Sequence, residues 1–129
     1  MATIVRAYPL LPGKQQQLAD FIRDVRDARR DETASFYQGI GVRRETWHLQ
    51  HTEVGPMVIV ATEVDDVDRS ASEYQQADSA YDEWFKQKVF ELSGFDPNHS
   101  PLGPQSQQIF EWSEEPALVP SPAGESQTA

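Results

Sequence analysis

The sequence predicts an α+β domain built on one four-stranded antiparallel sheet. Residues 2–112 run in the order strand, helix, strand, strand, helix, strand; Pro12-Gly13 sets off the first helix, and Gly55-Pro56 divides the central pair of strands. That order is the split β-α-β, or ferredoxin-like, plan β-α-β-β-α-β. One such unit has helical cover on a single face, so the other sheet face needs a partner to bury it. A homodimer through that face is expected.

Each element has its own signal. Thr3 to Leu11 is β-rich through Ile4, Val5, Tyr8 and Leu10, with Pro9 weakening its end because proline cannot donate to a ladder. From Lys14 to about Phe36, Leu18, Phe21, Ile22, Val25 and Ala28 recur at spacings of three and four, the stripe of an amphipathic helix. Arg29 and Glu32 fall near that stripe, where they pair at the rim of the core or line the mouth of a cavity. Gly39-Ile40-Gly41 ends the helix, and Val42 to His51 follows as a strand. One of its faces reads Arg43, Glu45, Trp47, Leu49 and His51; the other reads Val42, Arg44, Thr46, His48 and Gln50. Met57 to Val64 is apolar almost throughout, as in a strand covered on both faces. Asp65-Asp66-Val67-Asp68 starts a short helix to about Gln76, and Ser79-x-x-Asp82 has the form of a capping box for a helix ending near Leu92. Ser93-Gly94-Phe95 closes it. Pro97 to Gly103 reads as a loop and Gln107 to Trp112 as the fourth strand. From residue 113 to 129 the composition turns to Pro, Ser, Glu, Gly and Ala, which predicts a disordered tail.

The 129 residues suit one core, and the formal charge of −10 sets an acidic surface that disfavours nucleic acid. No apolar run approaches the roughly 18 residues of a membrane helix. The N-terminus enters a strand pattern without a basic then apolar leader, so a cytoplasmic location is expected. With no cysteine in the chain, disulfides, thiolate metal sites and cysteine nucleophiles are excluded. Phosphate-binding glycine loops, nucleophile elbows and metalloprotease motifs do not occur.

Three segments carry a resemblance: Gly41-Val42-Arg43-Arg44-Glu45-Thr46-Trp47, Val58-Ile59-Val60, and Ala77-Asp78-Ser79-Ala80-Tyr81-Asp82-Glu83-Trp84-Phe85. Over residues 3–112 the chain resembles the dimeric α+β barrel superfamily, which includes small antibiotic-biosynthesis-type monooxygenases. More narrowly, it resembles a bacterial ferredoxin-like family of unassigned activity. The resemblance implies two protomers packed sheet to sheet, with a pocket between each sheet and its helices. It further implies either oxidation of an aromatic or conjugated metabolite without a bound cofactor, or the holding of a small metabolite or heme. It transfers no catalytic set.

Two sets of residues compete for the chemistry, one for each face of the strand Val42–His51. In the first, Glu45 takes a proton while Arg29, or Arg43, steadies the charge, and Trp47, Tyr74, Tyr81 and Trp84 wall the pocket. The plain alternative is a structural ion pair with ordinary core aromatics. In the second, His48 carries the proton with Arg44 from its own face; a surface or interface histidine is the plainer reading. His51 and His99 are weaker candidates, although His48 or His99 would serve as axial ligand in a heme-binding barrel. The spacing of His48 and His51 opposes a two-histidine metal site. Asp78 and Asp82 are explained by capping. A homodimeric, cofactor-free, monooxygenase-like or isomerase-like enzyme is therefore set against a non-catalytic small-molecule-binding module.

Overall fold

The computed structural model describes residues 1–96 and 103–114; His99, most of the Pro97–Gly103 loop and nearly all of the 113–129 tail lie outside them. Three strands, β1 (Ala2–Pro9), β2 (Val42–Thr52) and β3 (Gly55–Val64), form an antiparallel sheet in the order β1-β3-β2. Four helices, α1 (Gln15–Arg23), α2 (Arg30–Gly39), α3 (Val67–Gln76) and α4 (Ala80–Ser93), complete the α+β architecture. The plan is compatible with a ferredoxin-like unit. Among the described residues, no helix is long and apolar enough to cross a membrane.

β3 lies at the centre because it is the most apolar strand. Val58, Val60, Thr62 and Val64 are buried toward the helices, while Met57, Ile59, Ala61 and Glu63 alternate on the other face and are half-buried. The core between sheet and helices is largely aromatic. Phe85 of α4 packs on Phe36 at 4.7 Å and on Phe21 at 5.3 Å between ring centroids, and Phe36 also meets Tyr74 and Tyr81.

The long first helix is interrupted. Asp24–Ala28 forms a π-helical turn, in which the Arg29 amide donates to the Asp24 carbonyl five residues back at 2.7 Å. One extra residue per turn resets the phase of everything downstream. Arg29 and Glu32 consequently meet each other on the outside, whereas Phe36, Tyr37 and Ile40 of α2 turn inward.

β2 contains a bulge that regular alternation does not anticipate. Val42 pairs with Val64 and Arg44 with Glu63, leaving Arg43 as the extra residue. Val42 therefore shares the buried side with Glu45 and Trp47. Arg43 is exposed and reaches Asp65 at 3.0 Å, so it does not join Glu45 as the strict two-residue repeat requires.

The expected fourth strand does not form. Arg6 and Gln105 make an isolated bridge, and the Ser106 amide donates to the Val5 carbonyl at 2.8 Å. Beyond that point Gln107–Trp112 takes no strand pairing, and Ile109, Phe110 and Trp112 are 89 %, 66 % and 75 % exposed. Continuing the register would place Ile109 opposite Ala2 and carry Trp112 past the beginning of the chain. β1 is too short to hold this segment as a full strand.

Helix ends follow their sequence signals. Asp66 accepts from the Arg69 amide at 3.0 Å at the start of α3. Ser79 and Asp82 form the reciprocal box at the start of α4, at 3.1 and 3.0 Å, and Gly94 closes α4 with φ +76°. Replacing Ser79 by Ala is expected to cost about 1 kcal/mol. Urea unfolding should show a lowered midpoint with an unchanged slope.

Candidate functional site

Between the sheet and helices α2 and α3 lies a cavity of about 430 Å³, floored by β1, β2 and β3 and closed at one side by Phe85 of α4. Most of its wall is apolar, from Ile4, Phe36, Ile40, Val42 and Val64. Its polar groups come from Arg6, Tyr37, Glu45, Thr62, Asp68, Ser70, Ser72, Tyr74 and Gln75.

Glu45 is the centre of this set, and three elements converge on its carboxylate. The Tyr37 hydroxyl of α2 donates to Oε2 at 2.5 Å, the Trp47 indole of β2 donates to the same oxygen at 2.8 Å, and the Thr62 hydroxyl of β3 donates to Oε1 at 2.9 Å. A carboxylate has about four acceptor positions, so one on Oε1 stays free. Burial pushes the Glu45 carboxyl above its ordinary value, while the three donors and the charge of Arg6 pull the other way. Burial, aided by the adjacent carboxylate, keeps Tyr37 and Tyr74 neutral and therefore donors.

Arg6 reaches the cavity because it alternates with Ile4 and Tyr8 on the buried side of β1. Its guanidinium is half-buried, and among the described residues it has neither an ion-pair nor a side-chain hydrogen-bond partner. Burial lowers its proton affinity and the charge of Glu45 raises it, the former prevailing; an arginine remains cationic under such a change. Tyr74 is 8 % exposed, and its hydroxyl also lacks a partner. Lys86 locks the end of α3 beneath it, donating to the Ala77 carbonyl at 2.7 Å and lying 5.2 Å from the centre of the Tyr74 ring.

The residues anticipated from sequence divide into separate neighbourhoods. Glu45 and Tyr74 line the cavity, and Trp47 stands behind it, holding Glu45 while its ring packs on Phe21 and Tyr8. Arg29 is not beside Glu45. It forks onto Glu32 at 2.9 and 3.3 Å and stacks over Trp84 and Tyr81 at 4.3 and 5.1 Å, because the π-helical turn swings it to that side. Tyr81 shares a 2.6 Å hydrogen bond with Thr33 and borders a separate open groove, and Trp84 packs on Phe21 and Tyr81. Arg44 and His48 are exposed on the opposite sheet face, Arg44 near Glu63 and His48 against Thr46. His51 is exposed near the hairpin, while Asp82 serves in the cap with Asp78 exposed before it. Among the described residues, no three His, Asp or Glu side chains gather as a metal-holding group.

Arg6, Tyr37 and Thr62 were missed by the sequence reading. For Arg6 and Thr62 a signal existed, since each interrupts an every-other-residue apolar series (Ile4-x-Arg6-x-Tyr8; Val58-x-Val60-x-Thr62-x-Val64). Comparison with protein-family models, curated proteins and solved structures finds no match.

Because burial raises the Glu45 carboxyl, the folded protein holds its proton more tightly than the unfolded chain does. The stabilisation that this proton brings is complete below the ordinary value of 4.5 and is lost as pH rises through the higher folded value. Wild type is therefore expected to lose urea stability relative to Glu45→Gln as pH rises from 4.5 through the higher folded value. Glu45→Ala, which strands three donors, is expected to cost about 3 kcal/mol below pH 4.5 and less as pH rises through the folded value.

Proposed function

We propose that this chain is a small homodimeric enzyme that takes a proton from an aromatic or conjugated metabolite, with Glu45 as the base and no resident cofactor. The supporting observation is the Glu45 carboxylate itself, enclosed in an apolar cavity and fixed by three donors with one acceptor position left on Oε1. Burial keeps its proton affinity above that of an ordinary carboxylate, which suits a general base. The carbanion so formed either regains a proton elsewhere, an isomerase-like outcome, or adds dioxygen as co-substrate to give a hydroperoxide that loses water and leaves a carbonyl, a monooxygenase-like outcome. A non-catalytic binding module is the second reading, favoured by the same three donors in their role as structural anchors.

The two readings separate by deuterium exchange into 2-tetralone, an aromatic ketone with a weakly acidic C–H, followed by NMR in heavy water. The enzyme reading expects exchange above the buffer rate and a loss of about a hundredfold or more in Glu45→Gln. Saturable binding with exchange at the buffer rate in both proteins decides for the binding module.

The homodimer rests on the outer sheet face. Val5, Ala7, Met57, Ile59 and Ala61 make an apolar centre there, with Arg44, His48 and Gln50 along one edge. Beside it the segment beyond the Arg6–Gln105 bridge carries Ile109, Phe110 and Trp112, exposed apolar side chains that a second copy would cover. Ala61 lies between Val5 and Thr46 at the middle of this face. Sedimentation should report a dimer at micromolar concentration and a folded monomer for Ala61→Arg; a monomeric wild type would end this part of the proposal.

A further inference from the structure

We infer that Arg6 is the oxyanion-holding residue of the cavity, and that the ligand is a neutral carbonyl compound with an acidic C–H, bound at Arg6 through the oxygen that becomes its enolate. The inference rests on the reading of Glu45 as base and names the substrate class for that site.

Two polar groups in this cavity lack what their chemistry calls for. Arg6 presents a half-buried guanidinium that makes no side-chain hydrogen bond or contact ion pair among the described residues and feels the charge of Glu45 through space. Tyr74 presents a phenol, 8 % exposed, whose hydroxyl has no partner. Both residues border the space that Glu45 borders, but the Tyr74 hydroxyl is itself enclosed in the wall, which leaves the Arg6 guanidinium as the donor open to a ligand. What fits a cationic donor in the same space as a base is an oxygen that gains negative charge as the base gains its proton. The backbone beneath Arg6 is held on both sides, by Val60 of β3 and by the bridge to Gln105, so the guanidinium is carried on a fixed support.

Charge balance selects the ligand class. Glu45 and Asp68 already face the cavity with Arg6 as its one cation among the described residues. A permanent anion such as a carboxylate would add a further negative charge to an enclosed space. A neutral ketone adds none. When its C–H bond breaks, the proton goes to Glu45 Oε1, the C–H electron pair becomes the C=C bond, and the carbonyl π pair moves onto oxygen beside Arg6. One negative charge is relocated from Glu45 to the ligand, and no oxidant or reductant is consumed.

The test uses benzoylacetone, whose enolate absorbs in the ultraviolet, titrated against the protein across pH. Wild type is expected to ionise the bound diketone by moving its proton onto Glu45, so that enolate absorption appears at a pH where the free diketone is still neutral. Arg6→Gln should weaken enolate binding by about tenfold or more, and Arg6→Lys should restore part of it. Glu45→Gln should leave enolate binding intact or tighter while abolishing the exchange into 2-tetralone, so loss of the base and loss of the oxyanion holder give different signatures. Benzoate is expected to bind more weakly than the enolate. Equal enolate affinity in wild type and Arg6→Gln overturns the inference, as does absence of saturable binding to wild type or tighter binding of benzoate than of the enolate.

Discussion

One carboxylate joins the two layers of this fold. Tyr37 comes from α2, Thr62 from β3 and Trp47 from two positions along β2, and all three donate to Glu45. Removing a carboxylate from water costs several kcal/mol unless its acceptors are filled. Here the helix layer can approach the sheet at this point only in an arrangement that fills them. The aromatic core around Phe36 and Phe85 supplies much of the apolar burial, but stacked rings tolerate sliding. The bonds from Trp47 and Thr62 stay within the sheet and fix the carboxylate, and the single bond from Tyr37 ties α2 to it.

The same constraint explains why the cavity exists. With Glu45 held back against Tyr37 and Trp47, the space between Arg6, Thr62 and α3 is not filled by its side chain. A leucine at that position would pack inward and close much of it. Polar anchoring therefore keeps the interior open on one side while the aromatic packing on the other side, around Phe21, Phe85 and Trp84, remains dense.

Much of the local structure was legible in the sequence because it depends on neighbours in the chain. The Ser79/Asp82 box, the Asp66 cap and the closing Gly94 are all short-range arrangements whose residue types state their geometry. The stripe Leu18, Phe21, Ile22 and Val25 likewise predicts the inward face of α1 and the turn that follows. What failed depends on counts that pattern matching assumes to be constant. The π-helical turn at Asp24–Ala28 adds a residue to one turn, and Arg29 leaves the side on which a steady helical period puts it. The expected fourth strand is absent although Gln107–Trp112 has strand composition: in the register of the Arg6–Gln105 bridge only Gln107–Ile109 would stand opposite β1, and the rest of the segment runs past its end. Arg6 was passed over because a charged residue on a half-buried edge strand is ordinarily a surface residue, and its inward phase is evident only once Ile4 and Tyr8 are known to be buried together.

The bulge at Arg43 has a consequence for how this strand is specified. Without it, Val42 on the buried side would bring Arg44, Thr46 and His48 inward and turn Glu45 and Trp47 to the outer face. Neither face of β2 is apolar enough to decide between those two phases through oil-and-water partition alone. A single surplus residue thus chooses between an imidazole interior and a carboxylate interior on an otherwise unaltered scaffold, so the acid–base character of the cavity is inherited from a backbone irregularity as much as from any side chain.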